Sequence, residues 1–211
     1  MSDPKRSDNE GTQRRMDLRA SNRRALALVS ELIAALRPEQ LGLPTPCSAW
    51  TVGDLLRHMI SQNKRFAAAA RGEDADAACP LDGGELGDDP AATYRDSADL
   101  AVAAYLVEDI AGRRMVLEEL PGPLPALVAI SFHFTDSLVH GWDVARSIGV
   151  PFQPPDELSG AALGIGSRIP DGARGPGGAF GPAVEPVSSA GDFDRLLCLV
   201  GRDPYWASPV T

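Results

Sequence analysis

One segment constrains the fold of this chain more than any other: the run from about Leu124 to Ile148, introduced by PGPLP and stopped by Gly149 and Pro151. It is long, helical in period and largely apolar, so it belongs inside a helical assembly rather than on its surface. It nevertheless carries five ionisable residues, His133, Asp136, His140, Asp143 and Arg146. Ionisable groups in an apolar setting need a hydrogen-bonding partner, an opposite charge or a metal.

The segments that could surround this helix are legible by period and by their caps. Leu26, Val29, Ile33 and Leu36, widened by Leu32, form the stripe of a first helix from about Met16 to Arg37, ended by Pro38, Pro44 and Pro46. A second helix starts at Thr51, where Thr51 and Asp54 have the spacing of a capping box and Trp50 and Leu55 that of a hydrophobic staple. It carries Leu55, His58, Met59 and Phe66 and ends near Gly72. Residues 73–90 are acidic and without periodicity, which predicts an exposed loop. Asp89-Pro90 is a cap and first-turn pair for a third helix to about Gly112. Arg114 to Leu120 is short and has the option of an extended conformation. Weaker helices are expected over Asp156–Ile165 and Asp192–Val200. The fold class is therefore all-α, an antiparallel four-helix bundle with a short C-terminal extension. Its parts are a leader at 1–20, the bundle at 21–150 and the extension, packed on it, at 151–211.

Charge and composition remove several function classes. A net charge of -9 disfavours nucleic acid phosphates and anionic lipid as partners. The first 24 residues run the other way, with seven basic side chains against four acidic ones, and read as a solvated arm. The opening residues lack the apolar core of a secretory signal, and no run approaches about 18 uninterrupted apolar residues. The 3 cysteines, Cys47, Cys79 and Cys198, are scattered and match neither a disulfide framework nor a thiolate zinc site. A cytoplasmic location is the expectation.

The chain has 3 histidines, all on predicted bundle helices. At about 100° per residue, Asp136 and His140 project within about 40° of each other, with Cβ atoms about 6 Å apart, which suits two ligands of one metal. A third ligand has to come from another helix, and His58 supplies it. Two imidazoles and a carboxylate with open positions suit Zn²⁺, Ni²⁺, Mn²⁺ or Fe²⁺. His133 lies about 7 Å further back along the axis and fits better as a proton-handling catalytic group, although His133 and Asp136 are themselves a usable i, i+3 pair. Asp143, one turn past His140, has two readings: acceptor for the non-ligating nitrogen of His140, or ion-pair partner of Arg146.

These residues also carry a resemblance. LPTPCSAWTVGDLLRHM, HFTDSLVHGWDVARSIG and LLCLVGRDP resemble the actinobacterial branch of the DinB-like superfamily, grouped with the N-terminal domain of mycothiol-dependent maleylpyruvate isomerase. The resemblance implies a bundle with a divalent metal, commonly zinc, at one end, and its ligand positions map onto His58, Asp136 and His140. Asp136 stands where the isomerase pattern has Glu, and the isomerase's full separate C-terminal domain has no counterpart. It further implies mycothiol as co-substrate and a thiol S-transferase or isomerase activity on an electrophilic metabolite or natural-product intermediate. Maleylpyruvate itself is not the expected substrate. The alternatives are a metal-containing binding or stress protein without turnover, and a non-haem iron oxygenase. The sequence leaves the oligomeric state open and is compatible with a homodimer.

Overall fold

Among the described residues, seven helices, α1 Leu18–Ala34, α2 Val52–Arg71, α3 Ala75–Ala78, α4 Pro90–Tyr105, α5 Ala126–Ile148, α6 Asp156–Gly166 and α7 Asp192–Leu199, make the chain mainly α. The computed structural model describes residues 17–47, 50–81, 84–118, 122–170, 174–175 and 180–208. Two short strands, β1 Arg114–Met115 and β2 Leu124–Pro125, pair antiparallel with Arg114 opposite Pro125. They set the chain up for entry into α5.

The helix boundaries have local causes. Asp17 caps α1, its carboxylate accepting from the backbone N–H groups of Arg19 and Ala20. Of the segment expected as a leader, residues 1–16 lie outside the described residues, and α1 already runs from Leu18. At α2 the capping box forms: Thr51 Oγ1 accepts from Asp54 N–H at 3.2 Å, and Asp54 Oδ2 accepts from Thr51 N–H at 3.1 Å. Helices α2 and α5 each end on a glycine in the left-handed region, Gly72 at φ 79° and Gly149 at φ 74°.

Two expectations shift. The third long helix stops at Tyr105, and only a separate 3-10 turn at Ile110–Gly112 reaches the expected end. The acidic segment 73–90 is not wholly an exposed loop. Asp74 caps the four-residue α3, and Cys79 and Pro80 are tied to α2 through Arg65 Nη1 and Ser61 Oγ, which donate to their carbonyls.

Packing places α5 between two cores. In the first, Leu26, Val29 and Ile33 of α1 meet Leu55, Leu56 and Ile60 of α2, together with Tyr94 and Tyr105 of α4 and Ile130 of α5. In the second, Phe134, Leu138 and Trp142 of α5 meet Leu158 of α6 and Phe193 and Leu196 of α7. Each fully buried Leu or Phe contributes about 1.5–3 kcal/mol of transfer free energy. Helix α1 packs on α4 and α5, α2 packs on the same two, and α6 and α7 cover the remaining face of α5. No helix among the described residues is long and apolar enough to cross a membrane.

Candidate metal centre

His140 projects from α5 with 7% of its side chain exposed, between two carboxylates of its own helix. Its Nε2 stands 3.3 Å from Asp136 Oδ1 and its Nδ1 stands 3.0 Å from Asp143 Oδ2. His58 arrives from α2, its ring 5.2 Å from that of His140 and nearly perpendicular to it. One ligand atom each from His58, Asp136 and His140 lies within 4.8 Å of the others. Two donors about 3.3 Å apart match a tetrahedral ion with bonds of about 2.0–2.2 Å, so the Nε2–Oδ1 pair has the spacing such an ion requires.

Trp50, the residue before the α2 cap, covers this group. Its ring lies 4.6 Å from His58 and 6.1 Å from His140. The staple spacing of Trp50 predicts core packing, and the ring does pack on the first core. Its second face, turned toward the two histidines, has no signal in that spacing. Asp136 keeps 38% side-chain exposure, so the group stays open to solvent on that side.

The charges are mutually supporting. Burial alone would lower the pKa of His140, but Asp136 and then Asp143 outweigh it and raise it to about 9. Burial pushes the Asp136 carboxyl up, and the positive charge and hydrogen bond of His140, with help from His58 and His133, bring it well below the usual carboxylate range. A proton on Nε2 thus sits where a metal ion would bring its charge.

Asp143 is fully buried and accepts from His140. Its countercharge is Arg202, whose Nη2 donates to Oδ2 at 3.1 Å and whose Nε donates to Oδ1 at 3.4 Å. Arg146, the alternative ion-pair partner expected from the sequence, instead donates through Nε to the Trp206 carbonyl at 3.0 Å. The thiol of Cys47 lies 3.6 Å from Arg202 Nη2, yet burial outweighs that cation and pushes the thiol up, so proximity to a helix start does not activate it.

His133 is not brought into the cluster. It is 1% exposed and stacks on Phe66 at 4.6 Å between ring centroids. Tyr105 O–H donates to its Nδ1 at 2.8 Å, Asn22 Nδ2 approaches the same atom at 3.3 Å, and its Nε2–H donates to Asn63 Oδ1 at 3.0 Å. Asn63 in turn donates to Ser97 Oγ at 2.9 Å. Burial, only partly offset by Asp136, lowers the His133 pKa to about 4, so the ring is neutral. Both nitrogens are engaged within the protein. A cavity of about 10 Å³, room for a single water, is lined by His133 and Asp136 together with Met59, Gln62, Asn63, Tyr94 and Ser137.

The family model described as the mycothiol maleylpyruvate isomerase N-terminal domain matches residues 22–145. The chain belongs to that family. Two uncharacterized proteins, from two strains of Mycobacterium tuberculosis, are each 31% identical over 144 residues, which cover 68% of this chain and 74% of the relative. No solved structure gives a significant match. Within this mycothiol maleylpyruvate isomerase N-terminal domain family member, His58, Asp136, His140 and Asp143 all fall inside the matched span, whereas α6, α7 and Arg202 fall beyond it.

Proposed function

We propose that this family member is a divalent-metal-dependent thiol S-transferase or isomerase that uses a mycothiol-type thiol on an electrophilic small metabolite or natural-product intermediate. The observation that carries this reading is the convergence of His58, Asp136 and His140, with His140 already oriented by Asp143, in a chain of this family. We read α1, α2, α4 and α5 as an antiparallel four-helix bundle spanning 21–150, with 151–211 as an extension packed on it. A cytoplasmic location fits a small thiol and a small electrophile as partners.

His58, Asp136 and His140 Nε2 would hold the ion, zinc foremost, with nickel, manganese or iron as alternatives. A bound divalent ion supplies the positive charge that keeps a thiol as its nucleophilic thiolate near neutral pH. The protein's own residues do the rest. Asp143 retains the proton on His140 Nδ1 and so leaves Nε2 free to ligate. Trp50 screens one side from water, and the exposed edge of Asp136 marks where thiol and electrophile enter. His133 we assign to holding the helices together rather than to the reaction.

Purified protein should contain about one divalent ion per chain, and His58→Ala and His140→Ala should each largely abolish it. Calorimetry with mycothiol should show binding by the metal-loaded protein, with about one proton released per thiol, and none by the stripped protein. Full metal occupancy in both variants would sink the site assignment. Thiol binding that is equal with and without metal would leave a metal-containing binding protein as the better reading, and iron with oxygen consumption would favour an oxygenase.

A further inference from the structure

Helix α7 ends at Leu199 and the chain turns back on Gly201, whose φ of 77° lies in the left-handed region. A Cβ there would come within 2.7 Å of Gly181 Cα, so both the backbone angle and the space call for glycine. The turn is closed by Arg202 N–H donating to the Leu197 carbonyl at 2.8 Å. It sends the Arg202 side chain away from its own segment and onto α5.

There the guanidinium is enclosed, with 11% of its side chain exposed. Nη1 donates to the Val200 carbonyl at 3.1 Å, which fixes the stem of the turn. Nε and Nη2 grip the two oxygens of Asp143 as a fork. A fork of this kind sets the plane of a carboxylate as well as its position. Asp143 Oδ2 is the atom that faces His140 Nδ1. A continuous line of contacts therefore runs from the C-terminal turn through Asp143 to the imidazole of the metal-binding cluster.

We propose that Arg202 is a positioning residue of the metal centre: it fixes the Asp143 carboxylate, which fixes the ring of His140, so that the segment after α7 governs how tightly the ion is held. This rests on the metal reading above. Partners of this kind, one contact removed from the ion, change metal affinity by about 10–100-fold when lost. A lysine at 202 keeps the cation but loses the fork on Asp143, so it separates geometry from net charge.

The test measures the zinc dissociation constant by competition with a chelating dye for wild type, Arg202→Lys, Asp143→Asn and the double variant, with melts confirming that each is folded. Arg202→Lys should weaken zinc about tenfold on the wild-type background and less than about threefold on the Asp143→Asn background, since the arginine acts through that carboxylate. The NMR signal of the zinc-loaded His140 Nδ1–H, protected in wild type, should exchange faster in the variant. Arg202→Gln serves if the lysine variant does not fold. Zinc affinity within twofold of wild type in a folded variant overturns the proposal, as does an undiminished loss in the Asp143→Asn background. A wild type that takes up no zinc overturns the metal reading and this inference with it. That failure is distinct from a wild type that binds zinc irrespective of residue 202.

Discussion

Raising the pH should destabilise the metal-free protein through one histidine. The His140 pKa is raised from 6.5 to about 9 by its two carboxylates. A raised folded-state pKa means that the stabilisation is fully present below pH 6.5 and is lost as pH climbs through 9. A tenfold gain in proton affinity on folding is worth about 1.4 kcal/mol, so the loss between pH 6.5 and 9 is on the order of 2–3 kcal/mol. That window ends near pH 9. Burial pushes the thiols of Cys47 and Cys198 up from 9.0, so their contributions fall at and above its upper edge. Urea unfolding of chelator-treated protein across this range, monitored by helical circular dichroism, should show the midpoint falling at constant slope. His140→Gln should flatten the curve. Zinc should reverse its direction, because the ion displaces the His140 proton and binds more tightly as pH rises. Stability that stays level from pH 6.5 to 9 in the stripped wild type would refute the reasoning, and so would an unchanged decline in His140→Gln.

His133 carries the opposite sign. With a pKa lowered to about 4, its burial stabilises fully above pH 6.5 and fades as pH falls through 4, so His133→Gln should lessen the acid-side decline that isothermal urea titrations record. The same variant should retain zinc while losing about 2–4 kcal/mol, because Tyr105 O–H and Asn63 lose their buried partner; loss of zinc would place His133 in the cluster after all. Gly141→Ala should cost about 1–3 kcal/mol, since the added Cβ would stand 2.7 Å from Val29 Cγ2 and 2.9 Å from Phe152 Cζ. A denaturation midpoint matching wild type would show that α1 and the 150–155 segment give way without strain.

The parts of this molecule that are legible in the sequence are those set by local chemistry. The Thr51–Asp54 box, the Asp89-Pro90 start and the stops at Gly72 and Gly149 depend on neighbours within a turn, and the structure has all of them. The closeness of Asp136 and His140 follows from helical period alone. His58 is reachable only because histidines are so few. What stays hidden depends on contacts between residues far apart in the chain. Nothing around Arg202 announces that it meets a residue 59 positions earlier. Asn22 and Asn63 look like surface polar residues on their helices, and only the assembled interior shows each aimed at the same imidazole. The end of α4 is misplaced by the sequence pattern because Val107 to Gly112 keeps a helix-compatible composition while the chain breaks into a tighter turn.

That imidazole has a consequence for the alignment of the helices. Asn22 comes from α1, Asn63 from α2 and Tyr105 from α4, so three of the four longest described helices each send one polar group to a ring carried by the fourth, α5. Alanine-rich helices such as α4 have smooth flanks and offer little resistance to sliding lengthwise. A slip of one turn, about 5.4 Å, would leave a hydroxyl or an amide stranded in hydrocarbon. The ring therefore works as a locating pin. It fixes the axial setting of α2 against α5, and with it the distance between His58 and His140, from a point that is itself shut off from solvent and substrate.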